Sequence, residues 1–278
     1  MDVDEVTITI VVDNQAGPEL GVEHGLTLFV KTAEHRVLFD TGQGRALPGN
    51  LRTLGLDPSA IDQVVLSHGH YDHTGGLSWV LNAAGSCDLY CHPGVTQPRY
   101  SRRPEGLQSI QMPHAAMVAL DKVPEQRMHW VLSPMQLSNT LGLTGPIPRQ
   151  KDFEDVGGDF YLDPEGRRPD PVADDLALWV RTSQGIVVVV GCCHAGLVNT
   201  LNHVRDLIGG LPIVAVIGGF HLLNADQNRL ASTVAALQAV APRIVVPCHC
   251  TGANAVARLA QDLGDIVEPG ISGRSYLF

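Results

Sequence analysis

The sequence predicts an α/β fold, and three patterns indicate it. Apolar, β-branched strand candidates fall into two groups, one in the first hundred residues and one in the last hundred. Strand and helix candidates alternate in the second group, which is typical of parallel sheets covered by helices. Several strand candidates end in histidine or aspartate. Because ligands of α/β proteins bind just beyond the strand ends, we expect these polar residues to form one site.

The first group consists of short apolar runs separated by turn residues. Their length and their content of Val, Ile and Thr indicate strands, and two short helices are predicted between them. Strands are predicted over residues 6–12, 26–30, 36–39, 63–66 and 88–91, and helices near 50–54 and over 77–84.

The second group alternates regularly. A hairpin is predicted around Ser183-Gln184-Gly185, and Gly209-Gly210 and Pro242 mark helix ends. The predicted strands are 176–181, 186–190, 213–217, 243–247 and 274–277, and the predicted helices are 197–208, 228–240 and 253–263.

The stretch between the two groups is different. Residues 96–175 are rich in Pro, Arg, Gln and Gly, with a strand candidate at 128–132 and a loop-like segment at 151–171. Loops of that length in a compact domain are usually functional lids or disordered. We therefore predict one domain over residues 1–278, in which 96–175 is an insert that forms a lid over the site, with a disordered insert as the alternative.

Composition and charge disfavour several classes of protein. The net charge of −10 disfavours a nucleic-acid surface, which would need a basic footprint. The acidic start at residues 1–5 does not resemble a signal peptide, and no apolar run reaches membrane-spanning length. The closely spaced cysteines are more typical of reduced core residues or metal-site neighbours than of disulfides. A cytoplasmic protein without a membrane partner is expected, and a homo-oligomer is left open.

The richest chemical pattern is H-x-H-x-D-H at residues 68–73, directly after a predicted strand. His68 and His70 are two residues apart and point to the same side of an extended backbone. Asp72 and His73 follow where the chain turns, so they can face a second point. Imidazoles and a carboxylate suit zinc, iron or manganese. A chance cluster is the alternative, but the pattern is internal, follows a strand and is bounded by glycines.

Taken together, the motifs resemble the metallo-β-lactamase superfamily over nearly the whole chain. The motifs that carry the resemblance are Asp40-Thr41-Gly42, the pattern at residues 68–73, and His194 and His249 at later strand ends. The resemblance implies a four-layer αβ/βα sandwich with a mono- or dinuclear metal site at one edge. A narrower resemblance extends to the dihydropterin-ribofuranosyl-aminobenzene 5′-phosphate synthase-like metal-dependent hydrolases, whose name implies a pterin or phosphate-bearing substrate. The motifs behind this narrower resemblance lie at residues 23–26, 38–43, 67–76, 191–196, 218–222 and 247–252.

The resemblance also implies two ligand sets for divalent ions, with zinc expected and manganese or iron as alternatives. His68, His70 and His194 would hold one ion, and Asp72, His73 and His249 the other, with a water or hydroxide between them. Most members carry a bridging Asp where this chain has Cys192-Cys193. Either a thiolate replaces that carboxylate or water alone bridges. In the superfamily the third histidine precedes the bridging Asp, whereas His194 follows the cysteines.

Other residues keep two or more interpretations. His221 ends a strand and is predicted to lie in the site, as a ligand, a substrate-binding group or an acid, with a core histidine as the alternative. His24 lies at the pocket rim or makes a structural hydrogen bond. Asp40 either orients a ligand histidine or is an ordinary turn residue.

The function that the resemblance implies is metal-dependent hydrolysis by a metal-activated hydroxide. The expected substrate is a small anionic phosphoester or cyclic phosphodiester. Asp72 would orient the attacking water, and His221 or His24 would protonate the leaving group or bind an anion. Four arginines of the middle stretch either bind a phosphate or belong to a solvated loop surface: Arg99, Arg102, Arg103 and Arg149. The alternatives are lactone or thioester hydrolysis, a di-iron redox protein, and a sensor that binds metal and ligand without catalysis.

Overall fold

The protein is described over residues 5–278 by a computed structural model. Most of the acidic start considered above lies outside the described residues. The strands are β1 (Thr7–Val12), β2 (Thr27–Lys31), β3 (Arg36–Phe39), β4 (Gln63–Val65), β5 (Asp88–Cys91), β6 (Tyr100–Arg103), β7 (Gly106–Ser109), β8 (Met128–Trp130), β9 (Met135–Gln136), β10 (Leu141–Leu143), β11 (Phe160–Tyr161), β12 (Ala177–Thr182), β13 (Gly185–Val190), β14 (Ile213–Gly219), β15 (Ile244–Cys248) and β16 (Ser275–Leu277). The α-helices are α1 (Leu47–Thr53), α2 (Tyr71–Thr74), α3 (Leu77–Ala84), α4 (His114–Leu120), α5 (Leu197–Leu207), α6 (Gln227–Val240) and α7 (Ala253–Leu263).

Two large sheets lie face to face. One has the order β16-β1-β2-β3-β4-β5-β8, and the other has the order β15-β14-β13-β12-β10-β9. Strand side chains alternate between the two faces of each sheet. Phe39 of β3 and Val189 of β13 enter the cluster between the sheets, whereas Leu38 of β3 and Val188 of β13 pack toward helices. Three buried apolar clusters thus separate four layers.

The helices form the outer layers. Leu47, Leu77 and Ala116 of α1, α3 and α4 pack on the first sheet. Leu201 of α5 and Leu237 of α6 pack on the second sheet, as does α7. The predicted four-layer αβ/βα sandwich is confirmed, and α3 and α7 have the predicted bounds.

The parallel strands place their carboxyl ends at one edge of the sandwich. In the first sheet β3, β4, β5 and β8 are parallel, and in the second sheet β13, β14 and β15 are parallel. Apart from His24, the predicted site residues follow β3, β4, β13, β14 and β15. This connectivity brings chain segments that are far apart in sequence to one place.

Residues 96–175 contribute to every sheet of the described chain. Strand β8 joins the first sheet, β9 and β10 join the second, and β11, β6 and β7 form a small antiparallel sheet. Apart from β8, these strands and helix α4 were not predicted, because strands of two to four residues carry almost no periodic signal. That residues 96–175 form a lid stays a prediction.

Within residues 5–278, the helices are all too short or too polar to cross a membrane.

Candidate metal centre

Several residues in the loops that follow the parallel strands have strained backbone conformations. Four non-glycine residues there have left-handed φ angles: Asp40 at 61°, Cys193 at 57°, His221 at 48° and His249 at 49°. Such angles cost free energy and concentrate at functional sites, where the surrounding structure compensates for them. Each of the four lies within three residues of a strand end.

His68, His70 and His194 come together, as the first ligand set requires. His68 Nε2 lies 2.9 Å from His70 Nδ1, and the His194 ring centroid lies 4.7 Å from that of His68 and 4.8 Å from that of His70. His194 reaches this position although it follows the cysteines in sequence. Burial lowers the pKa of all three rings well below the ordinary value, so they are neutral, which is the form that binds metal.

Asp72, His73 and His249 come together beside the first set. Asp72 Oδ2 lies 3.3 Å from His249 Nε2 and 3.1 Å from Nε2 of His24, whose side chain is 54% exposed. Burial opposes the charge on Asp72, but these two imidazoles and the charge of His73 outweigh it and hold the pKa of Asp72 well below its usual range. His24 therefore lies at the rim, bonded to a member of the predicted site.

Asp40 links the ends of β3 and β4. Its carboxylate accepts hydrogen bonds from the backbone and side chain of Ser67, each at 2.7 Å, and lies 2.6 Å from His73 Nδ1. Ser67 Oγ in turn lies 2.9 Å from His68 Nδ1. Burial disfavours charge on His73, yet Asp40 outweighs burial and raises the pKa of His73 to about 9. These contacts fix Nδ1 of both rings and leave Nε2 to face the site.

Two further contacts orient the remaining imidazoles. Asn14 Oδ1 accepts a hydrogen bond of 2.8 Å from His249 Nδ1, and the carbonyl of Val156 accepts one of 2.8 Å from His194 Nδ1. Asn14 and Val156 carried no recognisable signal in the sequence, because neither residue belongs to a motif.

Cys192 lies at the centre of the cluster. Its Sγ is 3.1 Å from His73 Nε2 and belongs to candidate ligand groups with both His68–His194 and His73–His249. Cys193 faces the other way, where its Sγ lies 3.3 Å from Thr200 Oγ1 within an apolar cluster. Of the two cysteines at the expected bridging position, Cys192 is therefore the one that reaches the histidines.

His221 joins the cluster from the end of β14. Its ring centroid lies 4.3 Å from that of His194, and its donor atom lies within 4.8 Å of the sulfurs of Cys192 and Cys250. Cys250 was not predicted to be a site residue. One clue in the sequence could have identified Cys250. It is separated from Cys248 by His249 alone, and two cysteines on either side of one residue in a turn can face opposite ways.

The donor atoms fit divalent metal ions. Nε2 of His194 and Nε2 of His70 are buried without hydrogen-bond partners, an arrangement that costs free energy unless something else satisfies them. Imidazole, carboxylate and thiolate together are the ligands of zinc and its neighbours in the first transition row. The neutral histidines and the central thiol agree with that chemistry.

A cleft of about 1260 Å³ opens above the cluster and reaches His70, Asp72, His194 and His249. Its lining combines polar or aromatic side chains with apolar ones. The former include Tyr71, Arg102, Arg103 and Phe160, and the latter include Leu223, Val256, Ala257 and Ala260.

Two of the four candidate arginines have other partners. Arg99 is 1% exposed and pairs with Asp170 and Asp174. Arg149 donates to the carbonyl groups of Pro171 and His194. Arg102 and Arg103 alone of the four line the cleft.

Fold and site together define a class of protein. The family model of the metallo-β-lactamase superfamily matches residues 20–210, and the chain belongs to that superfamily. The structure of Tm1679, described as a metal-dependent hydrolase of the beta-lactamase superfamily, has a TM-score of 0.82 and 27% identity and covers 98% of both chains.

Two curated proteins of Methanocaldococcus jannaschii are similar over most of their length. One is named 7,8-dihydropterin-6-methyl-4-(beta-D-ribofuranosyl)-aminobenzene-5′-phosphate synthase, and it is 30% identical over 91% of this chain and 90% of its own. The other, the uncharacterized protein MJ0448, is 30% identical over 91% of this chain and 94% of its own. Both the superfamily and the narrower resemblance predicted from the motifs are confirmed.

Proposed function

We propose that this protein is a metal-dependent hydrolase that cleaves a phosphoester bond in a small anionic molecule. The observation that carries the proposal is that Arg102 and Arg103 share one cleft with His70, Asp72 and His249. Arginine is suited to phosphate because its guanidinium group donates several hydrogen bonds in one plane. The name of the Methanocaldococcus jannaschii relative, which ends in 5′-phosphate synthase, supports a phosphate-bearing substrate.

Two divalent ions, with zinc expected first, would be held by the two ligand sets; when bound, they polarise a phosphoryl oxygen and supply a water of lowered pKa. Residues of the chain orient the attacking water and protonate the leaving group. Asp72 is buried, ionised and lines the cleft. Its carboxylate can therefore accept a hydrogen bond from the attacking water and orient it. His24 lies at the rim within hydrogen-bond reach of Asp72. In this proposal it protonates the leaving oxygen.

The mixed lining of the cleft suits a substrate with a charged part and an apolar part. Arg102 lies over the Tyr161 ring, with its guanidinium carbon 4.9 Å from the ring centroid, and this contact limits where the charged group can go. A phosphate bound by Arg102 shares the cleft with Asp72, while the apolar residues that α7 contributes to the lining accept an apolar or aromatic group. A phosphoester with an aromatic or heterocyclic part, such as a pterin, matches that division.

The first test is a panel of substrates assayed with the metal-loaded protein. Phosphomonoesters, phosphodiesters and cyclic nucleotides should be turned over, and lactones and thioesters should not. His68→Ala should lower turnover by at least about 100-fold, since loss of residues that merely support a metal site already costs 10–100-fold. Turnover of lactones or thioesters alone would contradict the proposed substrate class.

The second test concerns the arginines. Arg102→Ala and Arg103→Ala should each lower kcat/KM for a phosphoester about 10–100-fold, because a hydrogen bond to a charged group is worth about 1.5–3 kcal/mol. The control is Arg52→Ala, an exposed position on α1 away from the cleft. Equal kcat/KM values for the three variants would show that the phosphate does not contact Arg102 or Arg103.

A further inference from the structure

We propose that Cys192, His221 and Cys250 form a cation subsite of their own, which holds a thiophilic divalent ion such as Zn²⁺ or Co²⁺ through two sulfurs and one imidazole. This subsite lies beside the two histidine-rich ligand sets and shares Cys192 with them. It adds two donors, Cys250 and the ring of His221, that neither of those sets uses.

The topology places the three residues together. They follow β13, β14 and β15, which are consecutive parallel strands of one sheet. Neighbouring strands lie about 4.8 Å apart, so side chains just beyond their ends meet at similar spacing. The three donor atoms lie within 4.8 Å of one another. Ligands of a tetrahedral zinc ion with ordinary bond lengths lie roughly 3.5–3.8 Å apart, which small side-chain rotations reach.

Two glycines make room for this arrangement. A Cβ at Gly219 would lie 2.6 Å from Cys250 Sγ and 3.5 Å from the Cα of Cys192, so a side chain there would separate the two cysteines. Gly157 has a φ of 85° and packs against the His221 ring, where a Cβ would lie 1.8 Å from Cδ2. The Cys250 thiol and the His221 imidazole therefore occupy space that is available only because residues 219 and 157 are glycines.

The cysteines of the chain divide into two kinds. Cys87, Cys91, Cys193 and Cys248 belong to apolar clusters, where a thiol is an ordinary small core residue. Cys192 and Cys250 belong to none of these clusters, and both line the cleft, as does Cys248. A core role does not explain why these two sulfurs lie together.

His221 supplies the second, independent observation. Its Nδ1 is buried without a hydrogen-bond partner, and its backbone adopts a left-handed φ of 48°. Both features cost free energy, and a cation coordinated by Nδ1 would offset the cost of leaving that atom without a partner.

Cobalt absorption tests the subsite without an assay of activity. Metal-free protein is titrated with Co²⁺, and the sulfur-to-cobalt charge-transfer band in the near ultraviolet is recorded. Cys192→Ser and Cys250→Ser should each lose a large part of the band, and His221→Asn should weaken Co²⁺ binding by about tenfold or more. A full band in Cys250→Ser would overturn the proposal, because Cys192 would then be the sole sulfur ligand.

Matched controls come from the neighbouring core cysteines. Cys193→Ser and Cys248→Ser alter thiols one and two residues away and should keep the full band. Thermal unfolding of each variant shows whether it is folded. A band lost equally in Cys193→Ser and Cys250→Ser, with both variants folded, would contradict the assignment.

A second measurement needs no variant. Alkylation of each cysteine by iodoacetamide is followed by mass spectrometry in the wild-type protein, with and without Cd²⁺. The cation should slow alkylation of Cys250, which is partly exposed. An unchanged rate at Cys250 would overturn the proposal. Neither readout depends on which bond the protein hydrolyses.

Discussion

At the scale of single residues, the site depends on side chains that would not themselves touch metal. Asp40, Ser67, Asn14 and the carbonyl of Val156 each hold Nδ1 of one histidine. A ring whose Nδ1 is bonded in this way presents Nε2 as its free donor. Neutral or acidic neighbours that contact Nδ1 therefore set the orientation of four imidazoles, and Nε2 of each ring faces the site.

Asp40 is the most connected of these neighbours, and Asp40→Asn should expose its role. An amide retains one acceptor oxygen but places donors against Ser67, so His73 and His68 lose their fixed orientation. Metal affinity should fall about 10–100-fold, and the free energy of unfolding should fall by about 1–3 kcal/mol. Competition with a chromophoric chelator and urea unfolding measure the two quantities.

Asp57→Asn is the matched control for that substitution. Asp57 is exposed and caps a short 3₁₀ turn far from the site, where asparagine serves nearly as well. If Asp57→Asn and Asp40→Asn bind metal equally well, the contact between Asp40 and His73 has no positioning role.

At the scale of elements, the loops after the strands are held by buried carboxylates and close backbone contacts. Glu23 accepts hydrogen bonds from the amides of four successive residues, 43–46, at the start of α1. Glu154 accepts from Val198 and Asn199 at the start of α5, next to His194. Asp174 accepts from the amide of Gly69 between the first two histidines and pairs with buried Arg99. Each loop thus has a defined shape before any ligand arrives.

Gly69 shows how tightly such a loop is packed. A Cβ at this position would lie 2.3 Å from the carbonyl oxygen of Val95, so Gly69→Ala must push the loop away from its neighbour. We expect weaker metal binding and a loss of about 1–3 kcal/mol in the free energy of unfolding, as for other overpacked positions. Chelator competition and urea unfolding again provide the measurements.

Gly49→Ala is the opposite case and serves as the control. Gly49 lies inside α1, with nothing within 4 Å of an added Cβ. The substitution should raise the free energy of unfolding by about 0.5–1 kcal/mol and leave metal binding unchanged. Similar losses of metal affinity in both variants would show that Gly69 is not special.

At the scale of the whole molecule, the site joins the two sheets. His68, His70, Asp72 and His73 follow β4 of the first sheet, whereas Cys192, His194 and His249 follow strands of the second. Residues 96–175 add to this connection, because Val156 bonds to His194 and Phe160 lies 5.4 Å from the same ring. A bound ion would therefore stabilise the contact between the two halves of the sandwich.

Removal of metal should consequently destabilise the entire domain. An ion that binds the folded chain but not the unfolded chain adds about 2.7 kcal/mol when its free concentration is 100 times its dissociation constant. Chelated protein should unfold at lower urea concentration, and added zinc should restore the midpoint.

The control for this experiment is His68→Ala, whose midpoint should shift far less on addition of zinc. Equal midpoints for wild-type protein with and without zinc would contradict a site that spans both sheets.

Much of this architecture could be predicted from local patterns. The strands and helices of both groups and the H-x-H-x-D-H motif rest on residues that are close in sequence, so periodicity and spacing describe them. The short strands between residues 96 and 175 escaped prediction because their pairing partners lie elsewhere in the chain. Cys250 escaped as a site residue because the direction in which it points depends on the turn after β15.

The sequence by itself determined the class of fold, the superfamily and the chemical types of the donors. The class of fold and the donor types follow from local patterns in the sequence, and the superfamily follows from the resemblance of its motifs; none of these changes when the chain folds. Only the tertiary structure decided that Cys192 rather than Cys193 faces the histidines and that His194 reaches His68. It also placed Arg102 rather than Arg99 on the cleft. The physical reason is that direction and burial are set by the packing of distant strands, and one residue's shift along a strand end reverses the side to which a side chain points.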